Sequence, residues 1–122
     1  MSRSSRISGY LLIGTGVIHN LVGLILGYSV LVTIGKAGIV NSVDGHFDRM
    51  AIFWFLFSGF GIMMCGDLLM RMKKTPPTFA WSLLALSLLG VVMMPVSGFW
   101  IVIPQAVYML AAGRPTQEAT AP

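Results

Sequence analysis

Charge is scarce in this chain. Asp, Glu, Lys and Arg make up 10% of its 122 residues, where a soluble domain carries about 25%. So few charges cannot cover a water-facing surface, so lipid is the expected surrounding for most of it. Acidic groups are scarcest, with four Asp and Glu against eight Lys and Arg. The single cysteine, Cys65, excludes an intrachain disulfide and a multi-cysteine metal site. No nucleophile–base arrangement, phosphate-binding loop or pair of carboxylates occurs, which argues against soluble-type catalysis. The pI of 9.7 does not call for nucleic acid, because the basic residues flank apolar runs, where topology signals belong.

Apolar residues fill the space that charge leaves, at 56% of the chain and a mean hydropathy of +0.83. No charge falls between Ile7 and Gly35, between Met50 and Gly66, or between Thr75 and Gly113. A spanning helix needs about 20 apolar residues. The first run suffices for one crossing, the second for one if it extends past Asp67, and the third for two short ones. The expected fold is all-α, a single four-helix transmembrane domain with helices over about 7–33, 45–72, 76–94 and 99–112 and a disordered tail over 114–122. The first run is too long for the apolar part of a cleaved signal peptide, and no A-x-A site follows it. Asp44 is the expected cap of the second helix, and Thr75 that of the third, with proline at its first position. A short outer turn, Pro95 to Gly98, joins the last two helices.

Four crossings put Arg3, Arg6, Arg71, Lys73, Lys74 and Arg114 on one side. Lys36 and Arg49, offset by Asp44 and Asp48, fall on the other. Short loops rich in Lys and Arg stay inside, so both termini are expected in the cytoplasm. Tyr10 and Trp81 then suit the inner interface, and Tyr28, Phe99 and Trp100 the outer one.

Gly9, Gly16 and Gly23 are spaced seven apart, with Gly27 four further on. The second helix carries Gly59 and Gly66 seven apart, with Gly61 between them. Small residues at helical spacing let two backbones approach closely, and these two stripes are expected to pack on each other. His19 and Asn20 flank the first stripe, so both are expected to face protein. A polar group in hydrocarbon needs a partner. Ser58, Ser87 and Gln105 are the nearest at that depth, giving a candidate polar core of His19, Asn20, Ser58, Ser87 and Gln105. Such a core either binds a small ligand or moves protons, or it only holds the helices together.

Asp44, His46 and Asp48 sit at the outer mouth of the second helix. Their alternate spacing makes a solvated helix start a better reading than a metal site. Asp67 and Arg71, four apart, make a favourable helical ion pair. The nine methionines include adjacent pairs that point to different sides of a helix, so they read as apolar filler rather than copper ligands. His19 and His46 lie at different depths, which speaks against haem. No metal and no cofactor is expected.

The stretches "GTGVIHN", "FWFLFSGFGIMMCGDLL" and "PVSGFWIVIPQAVYML" resemble a domain-of-unknown-function family of small bacterial four-helix membrane proteins. The layout also resembles the DoxX-like group. The resemblance implies a multi-pass protein of the bacterial inner membrane and supplies no reaction. The expected function is a non-enzymatic membrane protein whose polar site around His19 binds a lipid-like or small ligand or supports assembly. A small transporter or channel coupled through His19 is the alternative, and a membrane enzyme acting on an isoprenoid or quinone-like substrate the third reading. Expected partners are the lipid bilayer, a second copy of the chain and a small hydrophobic ligand.

Overall fold

The computed structural model describes residues 2–114 and is all-α, with no strand among them. Five helices follow in order: α1 (Arg3–Leu26), α2 (Tyr28–Lys36), α3 (Phe47–Arg71), α4 (Pro77–Met93) and α5 (Phe99–Ala112). The expected tail falls on 115–122, outside the described residues. Where the sequence suggests one first helix over 7–33, there are two, separated at Gly27. Helical hydrogen bonds persist on either side, from Gly27 N–H to the Gly23 carbonyl (2.8 Å) and from Leu31 N–H to the Gly27 carbonyl (2.9 Å). A side chain at Gly27 would run into Ile52, whose side chain from α3 occupies that space.

α1 and α3, at 24 and 25 residues, are long and apolar enough to cross a membrane. α4 and α5 are apolar but shorter, at 17 and 14 residues. Asp44 does not cap α3. The helix starts at Phe47, and the His46 carbonyl accepts its first helical bond, from Met50 N–H. The reason is local: Gly45 sits at φ +77°, off the helical path. Thr75 does not cap α4 either. Pro76 holds the cap position and Pro77 the first turn, while the Thr75 hydroxyl bonds to Ser5 instead.

The chain divides into two compact units, cut within α1 and within α3. One unit comprises residues 10–67. In it α1 and α3 meet along their length, and the connection from Ala37 to His46 is fastened by Arg49, whose guanidinium donates to the Ser42 carbonyl at 2.6 Å. The other comprises the start of α1, the end of α3, and α4 and α5. Here α4 and α5 form a hairpin around buried Ala80, Ser87, Gln105, Ala106 and Met109. The Phe99 ring lies on Gly90, where a Cβ would come within 2.5 Å of it. The Trp100 indole closes the turn by donating to the Pro95 carbonyl at 2.8 Å.

Candidate functional site

The helix pair in residues 10–67 is built on missing side chains. A Cβ on Gly16 would come within 2.8 Å of the Gly59 carbonyl and 2.6 Å of Met63. One on Gly23 would meet Phe55 and Leu56 at 2.7 and 2.8 Å. The two backbones therefore approach at Gly16 and Gly59, while Gly23 and Gly27 make room for the side chains of Phe55, Leu56 and Ile52; all four glycines are buried. Gly61 is different: it is exposed, with open space where its side chain would be. Two residues from Gly59 is about 200° around a helix, which puts Gly61 on the opposite face. Gly9 and Gly66 are also buried, the first in the unit with the α4–α5 hairpin and the second in the unit with α2.

His19 lies flat on Phe55, with ring centroids 3.9 Å apart and planes 12° from parallel. Its Nε2 is 2.9 Å from the Phe55 carbonyl oxygen and 3.2 Å from Ser58 Oγ. A carbonyl can only accept, so Nε2 carries the proton and donates to it. The Ser58 hydroxyl donates to the same carbonyl at 2.7 Å. Nε2–H, Ser58 Oγ and the Phe55 carbonyl thus form a closed polar triangle, in which both donors are spent on one acceptor. Phe55 is the residue that sequence reasoning passed over. Its position four before Gly59 was the available signal, since that spacing puts both on one helix face.

Asn20 is buried, at 8% exposure. Its amide sits over Gly59 in the place a Cβ would take. Oδ1 has no conventional hydrogen-bond partner. It faces the Cα of Gly59, so a weak Cα–H···O contact is what the geometry offers it. The five polar residues of the expected core belong to both units, each described by itself. His19, Asn20 and Ser58 come together in one unit, with Ser58 exposed rather than buried. Ser87 and Gln105 are buried in the other unit, and the Ser87 hydroxyl donates to the Leu83 carbonyl of its own helix at 2.6 Å.

One helical turn beyond the triangle, a cavity of about 230 Å³ opens among Gly23, Leu26, Gly27, Val30, Asp48, Ala51, Ile52 and Phe55. Its wall is apolar apart from Asp48, which is exposed in the first turn of α3. Asp44 and His46 are exposed in the preceding connection. No group of three or more His, Cys, Asp or Glu close enough to hold a metal occurs among the described residues. Asp67 and Arg71 lie one turn apart at the end of α3, both exposed, as is Cys65. The site therefore contains a hydrogen-bonded lock and an oily cavity, and it presents no nucleophile held by a base.

No curated protein and no solved structure matches this chain. A family model does match, over residues 3–116, which takes in every helix described above. The chain belongs to that family, a family of unknown function (DUF6463).

Proposed function

We propose that the protein is a non-enzymatic, multi-pass protein of the bacterial inner membrane, in which His19, Asn20 and Gly59 lock α1 to α3 inside the bilayer. In this reading the DoxX-like layout holds: α1, α3, α4 and α5 cross, and both termini are cytoplasmic. The observation that carries it is the surface of α3. Only 17% of its most apolar 18-residue stretch is buried. Trp54, Phe57, Phe60, Met64 and Leu68 are each more than half exposed. The core helix of a soluble protein would hide such residues, each of which gains about 1.5–3 kcal/mol on leaving water. α2 suits the outer interface, because Tyr28, Ser29, Thr33 and Lys36 fall on one side of it and Val30, Leu31 and Ile34 on the other. α5, about 21 Å long, is short of the roughly 30 Å hydrocarbon core and requires local thinning or apolar flanks.

Two measurements test this. Alkaline carbonate should leave the protein in the membrane pellet, and release into the supernatant rejects the reading outright. In a Cys65→Ser background, Val96→Cys should react with a membrane-impermeant maleimide added to intact spheroplasts. Val96 is 97% exposed at the α4–α5 turn. Labelling only after lysis would turn the hairpin into a re-entrant one and leave two crossings.

The cavity favours a second reading of the same protein, as a binder of a lipid-like molecule. A space of about 230 Å³ holds part of an acyl or isoprenoid chain and is too small for a large cofactor. Mass spectrometry of protein extracted without detergent should then find a bound amphiphile, and Ala51→Phe, which fills the cavity, should lower its occupancy at least threefold. Equal occupancy in both proteins rejects binding there.

A further inference from the structure

The unit that contains the α4–α5 hairpin is rich in basic residues, and Asp67 lies on α3 just before it. Its described residues include Arg3, Arg6, Arg71, Lys73, Lys74 and Arg114 and no Asp or Glu. Arg3, Arg6, Lys73 and Lys74 are all exposed. They are also tied to one another through the backbone. The Ser2 N–H donates to the Lys73 carbonyl at 3.1 Å, joining the start of α1 to the α3–α4 connection. Beneath this runs a seam of hydroxyls. Ser2 caps α1 by accepting the Ser5 N–H at 3.1 Å and donates to Ser5 Oγ at 2.9 Å. Ser5 Oγ is 3.2 Å from Thr75 Oγ1, and that contact is buried. One turn further, Ser8 is fully buried, and its Oγ has no hydrogen-bond partner.

Topology signalling alone explains the basic residues but not this construction. Orientation needs only Lys and Arg somewhere in short loops. Here they are gathered by a cap, a backbone bond and a buried hydroxyl pair, and the first amides of α1, at Arg3 and Ser4, have no acceptor within the helix. Arg71 has Asp67 one turn away on α3, but the exposed Arg3, Arg6, Lys73 and Lys74 repel one another, and an external anion relieves that repulsion. Arginine forks and free helix amides suit phosphate oxygens in particular.

We propose that the amino end of α1 and the connection 72–76 form a binding site for the phosphodiester headgroup of an anionic phospholipid, with Arg3, Arg6, Lys73 and Lys74 as the charged contacts. The lipid source rests on the membrane reading above, which sets this end of the helices at the cytoplasmic surface, beside anionic headgroups.

The test uses the full chain in a neutral detergent, titrated with phosphatidylglycerol, phosphatidylcholine or inorganic phosphate while thermal unfolding is followed. Phosphatidylglycerol should raise the midpoint by roughly 5 °C over phosphatidylcholine at saturation. The triple variant Arg3→Gln, Lys73→Gln, Lys74→Gln should lose that increment while keeping the wild-type midpoint in phosphatidylcholine, since all three side chains are exposed. Equal shifts with the two lipids overturn the proposal, as does a triple variant that keeps the increment. An inorganic phosphate shift equal to that of phosphatidylglycerol overturns the lipid source. Protein that resists carbonate extraction yet ignores phosphatidylglycerol overturns this site and leaves the membrane reading standing.

Discussion

Gly59→Leu should break the pairing of α1 with α3, and Gly61→Leu, two residues along the same helix, should leave it intact. A Cβ at Gly59 would coincide with the Asn20 amide, with Cγ at 2.5 Å, and would press on His19 Cδ2 at 3.0 Å. The amide cannot simply move aside. It is buried, and Gly16 already brings the α1 backbone against the Gly59 carbonyl behind it. Overpacking of this kind costs about 1–3 kcal/mol even for small additions. Leucine adds four carbons, so a loss of roughly 3 kcal/mol or more is expected, a large share of the 5–15 kcal/mol that typically holds a domain together. Thermal unfolding in detergent is the measurement. Asn20→Ala should partly rescue Gly59→Ala, because the truncated side chain vacates the space the new methyl needs; two sites in contact couple in this way and distant ones do not. Equal midpoints for Gly59→Leu and Gly61→Leu would mean that the helices do not meet through this face.

That contrast also marks what the sequence could and could not say. All-helical character follows from long charge-free runs that have no strand alternation. The seven- and four-residue spacing of Gly16, Gly23 and Gly27 marks one face of α1, and α3 approaches along that face. The same reasoning put Gly61 with Gly59 because both are small, although residues two apart point to opposite sides. Composition records which residues can be approached, and only register tells which ones are. Asp44 and Thr75 fail as caps for a related reason. Each has the right side chain, but Gly45 turns the chain away after the first, and the second spends its hydroxyl on Ser5, seventy positions away in sequence. The Phe55 carbonyl could not be read at all. It is a backbone acceptor already engaged in a helix, and only the placement of His19 reveals that it accepts again.

His19→Ala should cost roughly 2 kcal/mol and His19→Phe about half of that, because the two substitutions remove different parts of one contact. Phenylalanine keeps a flat ring over Phe55, replacing the stack seen at 3.9 Å, and removes only the Nε2–H donor. Alanine removes the stack as well. Neither leaves the Phe55 carbonyl bare, since Ser58 continues to donate to it at 2.7 Å, which is why the expected losses stay modest. Ser58→Ala alone should matter little, because Ser58 is exposed. Combined with His19→Phe it should cost more than the sum of the two, since both side-chain donors are then gone and the oxygen keeps only its helical bond. The series also separates the lock from a transporter coupled through this imidazole. For a transporter, His19→Phe would abolish flux in proteoliposomes while the unfolding midpoint stayed at the wild-type value. For the lock, the midpoint falls in the order wild type, Phe, Ala. An alanine variant as stable as the wild type would remove His19 from the forces that hold α1 to α3.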